Sequence, residues 1–244
     1  MRRVFFTISI FSIGICLFLL SCDDNSHSLG EFRINIATVI PEGENAYSLL
    51  LDNGKKLWPA ANAVLYHPAY NQRVFLNYTI LSGAQDGYDH YIKVNDIWNI
   101  LTKQVIELNA QNADSIGNDP VKANAMWVGG DYLNVSFMFN YGGAQPHAIN
   151  LVKNRLASGT SSDAIDLEFR HNSYNSQRDK LYEGFVCFDL KPLRDNNADS
   201  VKLSVSVKEK TKEITYDVIY RYNQAVQEAA TEMPIPVISS NEYY

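Results

Sequence analysis

Apolar and polar residues alternate with a period of two along most of the chain, the pattern of strands that bury one face. Phe32, Ile34, Ile36, Thr38 and Ile40 alternate with their neighbours. Tyr47, Leu49 and Leu51 run into Asp52-Asn53-Gly54, a turn whose asparagine and glycine tolerate positive φ, and Leu57 and Trp58 begin the return. Val74, Leu76, Tyr78 and Ile80 predict another strand. His90 to Leu101 predicts a longer one with Ile92 and Val94 on one face, and Val105 to Leu108 closes the group. Short strands in this number, with no long 3.6-residue period, predict a small barrel or sandwich.

Between Asn109 and Met126 the alternation stops and the composition turns to Asn, Asp, Ser, Gly and Pro, centred on Asp114-Ser115-Ile116-Gly117-Asn118-Asp119-Pro120. A domain boundary is expected there, with residues 31–112 as one unit and 113–223 as another, each folding on its own core. Alternation resumes over Asp131 to Asn140 with Leu133, Val135, Phe137 and Phe139 inward. It continues over His147 to Val152, Ala164 to His171, Phe185 to Leu190, Val201 to Val207 and Ile214 to Tyr220, the last two joined across Glu209 to Glu213. Strands of this length between polar turns predict a two-sheet sandwich, so the fold class is all-β. Gln224 to Met233 has the composition of a short helix stopped by Pro234 and Pro236, and residues 224–244 read as a tail with a mobile end.

The first 30 residues follow a different pattern. Arg2-Arg3 precede an apolar run from Val4 to Leu20, which ends in Leu19-Leu20-Ser21-Cys22 and then Asp23-Asp24. A basic start, a short apolar stretch and a cysteine at a small-residue site define a bacterial lipoprotein export signal. Residues 1–21 are therefore the expected signal, Cys22 the lipidated N-terminus, and residues 22–30 a tether. Asp23-Asp24 directly after the anchor resembles the acidic tether of surface-displayed bacterial lipoproteins, which implies the surface side of the outer membrane rather than the periplasm.

The formal charge is −6, and residues 1–21 contain two arginines and no acids, so the remainder is more negative still. With no lysine or arginine cluster longer than a pair, nucleic acid and anionic headgroups are disfavoured as partners. Cysteine usage narrows the picture further. Cys16 falls in the signal and Cys22 takes the lipid, which leaves Cys187 without a disulfide partner in Phe185-Val186-Cys187-Phe188, where it reads as a small buried hydrophobe.

Several strings go beyond alternation. Asn71-Gln72-Arg73-Val74-Phe75-Leu76-Asn77-Tyr78, Tyr91-Ile92-Lys93-Val94-Asn95-Asp96 and Leu101-Thr102-Lys103 are followed by Asp114 to Pro120, Tyr132-Leu133-Asn134-Val135, Leu167-Glu168-Phe169-Arg170-His171-Asn172 and Gly184 to Leu190. In this order, from about Thr38 to Tyr222, the chain resembles the NigD-like lipoproteins. The resemblance implies an N-terminal OB-like β barrel followed by a C-terminal immunoglobulin-like β sandwich. The family takes its name from a bacteriocin-associated gene cluster, where an immunity role was suggested, and it supplies no catalytic residues to carry over.

Catalytic signatures are absent: no Gly-x-Ser-x-Gly, Gly-x-x-x-x-Gly-Lys, His-Glu-x-x-His or Cys-x-x-Cys occurs. Asp114, Asn118 and Asp119 concentrate acceptor oxygens, but without EF-hand spacing they read as caps of an irregular loop rather than as calcium ligands. His171 shares the inward phase of Ile165, Leu167 and Phe169. An acid–base role there would need His147 or His90 brought to it by the fold, and an identifiable nucleophile. Trp58, Tyr66, Tyr70, Tyr88, Tyr91 and Trp98 supply aromatic surface without a basic track, which suits a sugar or protein better than a nucleic acid. Asp114-Ser115-Ile116 and Asp199-Ser200-Val201 match a short bacterial O-glycosylation acceptor, so Ser115 and Ser200, both expected in loops, are modification candidates. The sequence thus points to a lipid-anchored, non-enzymatic binding module with no cofactor and an unidentified protein or glycan ligand. Bacteriocin immunity and an enzyme of unknown chemistry are the alternatives.

Overall fold

The structure, a computed structural model, describes residues 31–43, 46–143, 145–154, 156, 164–176, 180–222 and 243. The signal 1–21, Cys22, Asp23-Asp24 and the helix expected over Gln224 to Met233 lie outside these residues.

Five strands, β1 (Arg33–Pro41), β2 (Tyr47–Leu51), β3 (Lys56–Asn62), β4 (Arg73–Ser82) and β5 (His90–Asn99), close into a barrel in the order β1-β2-β3-β5-β4. Closure removes the free edges that an open sheet of this size would leave. Its core holds Leu49, Leu57, Val74, Leu76, Ile92 and Val94, as alternation indicates. In β1 the phase is different from that expected. Ala37 and Val39 enter the barrel core, while Ile36 is also buried, on the opposite side. The strand is covered on both faces because the second domain packs against its outer one, and strict alternation carries no signal for that.

The sandwich has sheets of five and four strands. One runs β14 (Glu213–Arg221), β13 (Ser200–Lys208), β11 (Ile165–Asn172), β10 (Ala148–Asn154), β7 (Ile106–Leu108). The other runs β6 (Leu101–Gln104), β12 (Lys180–Asp189), β9 (Tyr132–Tyr141), β8 (Lys122–Gly129). Phe137, Phe139, Phe169 and Phe188 fill the space between them with Leu133, Val135, Leu151 and Val205. The hairpin turn between β8 and β9 uses Gly130 at φ +56°, a conformation that favours glycine.

Residues 101–108 belong to the sandwich rather than to the barrel. β6 pairs in parallel with β12 and β7 in parallel with β10, so the junction falls near Ile100 instead of within 109–126. The polar stretch is correspondingly shorter, a four-residue helix, α1 (Ala113–Ile116), followed by a connection into β8. A third core spans the junction: Ile36, Phe75 and Ile100 from the barrel meet Tyr132, Phe185 and Cys187 from the sandwich.

The end of the chain is not loose at Tyr243. Its ring is 3% exposed and lies against Phe137 and Phe139. The hydroxyl donates to Phe185 O and accepts from Phe185 N, both at 2.9 Å. A tyrosine suits this place because its body is apolar while its tip satisfies two buried backbone groups.

Candidate functional site

The antiparallel register that sets Ile149 opposite His171 also brings His147, two residues earlier, beside the same ring. His147 Nδ1 lies 2.9 Å from His171 Nε2, and His171 Nδ1 lies 3.2 Å from the carbonyl oxygen of Pro120. Ser176 Oγ is in hydrogen-bond contact with His147 Nε2. A carbonyl oxygen only accepts, so His171 Nδ1 donates and its Nε2 accepts from His147 Nδ1–H. His147 Nε2 is then the acceptor for the Ser176 hydroxyl. The fold therefore supplies the two groups that the sequence did not identify, a hydroxyl and an orienting partner. His90 takes no part and begins β5 in the barrel.

The proton order resembles that of an activated serine, but the energetics do not. His147 is fully buried and its pKa is held down at about 4, first by desolvation and then by His171, against the opposing pull of Asp119. So weak a base, sealed from solvent, activates a hydroxyl poorly near neutral pH. The relay instead ties the start of β10, the end of β11 and the turn 173–176 together. An open cleft of about 290 Å³ lies on its His171 side, lined by Asp119, Phe139, His171, Ser173, Leu181 and Glu209.

A depressed pKa makes this histidine a source of acid lability. His147 contributes stability fully above its unfolded pKa of about 6.5, and that contribution is lost as pH falls toward about 4. The shift corresponds to about 3 kcal/mol. We expect the urea midpoint to drop between pH 7 and pH 4 more in the parent than in His147→Gln. Equal drops would remove the assignment.

Asp119 Oδ2 accepts from Ser173 N at 2.8 Å and Ser173 Oγ at 2.6 Å, while Asp114 stays exposed at the surface of α1. Among the described residues no three potential ligands converge as a metal site would require. Ser115 sits in α1 rather than in a loop, and Ser200 opens β13. Both are exposed.

Cys187 is fully buried with its Sγ 3.0 Å from Asn134 Oδ1, and burial pushes its thiol up to about 11 against the lowering pull of Arg73. That thiol is inert at neutral pH. Its neighbour Arg73, 1% exposed, forms the polar centre of the junction. Nη1 lies 2.6 Å from Asp52 Oδ1, and Nη2 donates to Asp52 Oδ2 at 2.8 Å and to Asn134 Oδ1 at 3.2 Å. Tyr132 presents its ring 4.6 Å from the guanidinium carbon.

The structure sorts the barrel aromatics. Tyr66 packs on the barrel core, and Tyr70 and Trp98 are exposed. Trp58, Tyr88 and Tyr91 gather on the barrel exterior, with Trp58–Tyr88 centroids 5.1 Å apart and Tyr88–Tyr91 6.2 Å apart. Alternation alone does not reveal this group. The readable signal is Asp86-Gly87, a hairpin dipeptide that returns the chain so that Tyr88 meets β3.

Comparison with known proteins gives two family matches: a NigD-like N-terminal OB domain over residues 36–100 and a NigD-like C-terminal beta sandwich domain over residues 104–221. The division between them agrees with the junction near Ile100. Among solved structures, a protein of Parabacteroides distasonis named as toxin related is 39% identical. The match covers 79% of this chain and 95% of that one, with a TM-score of 0.69. A protein of unknown function from Bacteroides vulgatus is 33% identical over 84% of this chain and 95% of its own, with a TM-score of 0.70. A NigD-like immunity protein from Bacteroides caccae shares the fold at 17% identity, covering 75% of this chain and 91% of that one, with a TM-score of 0.60. No curated protein matches the chain.

Proposed function

The chain belongs to the NigD-like family, and from that premise we propose that it is a non-enzymatic, lipid-anchored binding module of the outer membrane, displayed at the cell surface. The observation that carries the binding role is the group Trp58, Tyr88 and Tyr91, three partly exposed rings on a closed barrel, where rigid scaffolds place contact residues. The sealed, weakly basic His147 supports a non-catalytic reading. Leu19-Leu20-Ser21-Cys22 supports the anchor, and no helix among the described residues is long and apolar enough to cross a membrane. Asp23-Asp24 supports surface display as a short, solvated acidic arm. The exposed hydroxyls of Ser115 and Ser200 would accept an O-linked glycan on the same outward-facing protein.

Metabolic palmitate labelling tests the anchor. Cys22→Ser should lose the label and move to the soluble fraction, since several acyl chains hold a lipoprotein where one would not. Equal label in both proteins would sink the lipoprotein claim. Protease added to intact cells tests display: digestion in the parent, with protection after Asp23→Ala and Asp24→Ala, is the expected pair of results. Protection in both would put the protein in the periplasm.

A second reading, bacteriocin immunity, draws support from the toxin-related name of the 39% identical relative. It requires that cells lacking the protein become sensitive to a bacteriocin and regain protection on its return.

A further inference from the structure

Alternation sends Leu57 and Ile92 into the barrel and turns Trp58 and Tyr91, Cα partners on the parallel pair β3–β5, to its outside. Tyr88 joins them through a hairpin between β4 and β5. Gln85 and Tyr88 exchange both backbone hydrogen bonds, at 3.0 and 2.9 Å, around Asp86 at φ 51° and Gly87 at φ 86°. Two successive positive φ values make a tight turn for which Asp-Gly is a favoured pair. The base of the hairpin is tied to β3, because Asp89 N donates to Lys56 O at 2.8 Å and Lys56 N donates to Asp89 Oδ2 at 2.7 Å.

The rings stand at angles, 44° between Trp58 and Tyr88 and 87° between Tyr88 and Tyr91, and none of the three is part of a hydrophobic core of the described residues. Their polar rim is fixed too. Asp86 Oδ2 accepts from Tyr91 OH at 2.8 Å and from Gln85 Nε2 at 3.1 Å, while Asp86 Oδ1 makes no hydrogen bond among the described residues. The surface is ordered in advance, which lowers the cost of binding.

We propose that Trp58, Tyr88 and Tyr91 form a platform for a neutral polysaccharide, an inference that rests on the binding role proposed above. A sugar ring offers C–H faces, which pack on the electron-rich face of an aromatic ring, and hydroxyls, which donate to carboxylate oxygens such as Asp86 Oδ1. Asp86 and Asp89 balance Lys56 and Lys93 around the rings, so the surface carries no net positive charge to hold a polyanion, and no basic track follows the rings. A protein partner would need about 800 Å² on this side. Here the residues hydrogen-bonded around the rings, Lys56, Gln85, Asp86 and Asp89, are all polar.

Native electrophoresis of the purified protein tests this in gels cast with mannan, xylan, galactomannan, starch or mixed-linkage β-glucan, with polygalacturonate as the anionic comparison. Retardation by at least one neutral polymer is expected, with none by polygalacturonate. Trp58→Ala and Tyr91→Ala should each weaken retention about tenfold, whereas Trp98→Ala, an exposed ring outside the group, should not. Melting curves matching the parent confirm that the variants fold. Retention by none of the neutral polymers, or retention untouched by Trp58→Ala and Tyr91→Ala, would overturn the proposal. If gels fail while a photoreactive group beside the rings still crosslinks a protein on cells, the glycan is wrong and the binding role stands. If that crosslink is also absent, both fall.

Discussion

Arg73→Ala should cost about 3–5 kcal/mol of unfolding free energy, because it leaves a partner charge in a closed site. Arg73 is one of the largest fully buried side chains among the described residues, and its guanidinium is shared among Asp52, Thr38 and Asn134. Asn134 Nδ2 also donates to Asp52 Oδ2, at 3.0 Å, so the group links the β2–β3 turn of the barrel to β9 of the sandwich. The Asp52 side chain is 20% exposed, which lets water relieve part of the orphaned charge and places the loss toward the lower end. Removing both charges with Arg73→Met and Asp52→Leu should cost less than Arg73→Ala alone, since the desolvation penalty disappears with the pair. Urea unfolding at pH 7 provides the comparison. A loss below about 1 kcal/mol would mean that the pair behaves as an exposed one.

Phe185→Ala should be comparably severe, about 3–5 kcal/mol. Phe185 lies on β12, yet its ring meets Phe75 of the barrel edge-on at 4.9 Å and Trp127 of β8 at 5.6 Å. Truncation opens a cavity in the core that both domains share, so barrel and sandwich should lose stability together. Circular dichroism and tryptophan fluorescence should report one coincident transition, in the parent and in the variant. Two separated transitions in the parent would restore the independent folding expected from the sequence. The same geometry explains why the division expected between residues 112 and 113 is a poor one. It would strip β6 and β7 from the sandwich sheets and leave Ile36, Phe75 and Ile100 uncovered.

Strands that follow a period of two were legible. Leu49, Val74, Leu76, Ile92, Leu133, Phe137 and Phe169 all lie inside as their phase indicates. What escaped was set by contacts between units. β1 is buried on both sides, so its alternation points to the face that meets the sandwich and hides the one that fills the barrel. The strands β6 and β7 are four and three residues long, too short to show a period, and their membership depends on parallel pairing with β12 and β10. His147 and His171 are 24 positions apart and meet only through one strand register. Ser176 follows Tyr174 and Asn175, both at positive φ, a turn that composition does not announce. Tyr243 looked like part of a polar end, and its burial comes from a slot whose lining residues lie far away in sequence.

The binding surface can be tested on living cells with a photoreactive benzophenone residue in place of Lys93, which is exposed on β5 two positions beyond Tyr91 and shares its outward phase. Illumination should yield a slower-migrating adduct at this position, and Trp58→Ala in the same chain should abolish it. The same residue in place of Lys202, exposed on the sandwich strand β13, should give no such adduct. An adduct absent from position 93, or one that persists undiminished with Trp58→Ala, would contradict the assignment of Trp58, Tyr88 and Tyr91 as the surface through which this protein acts.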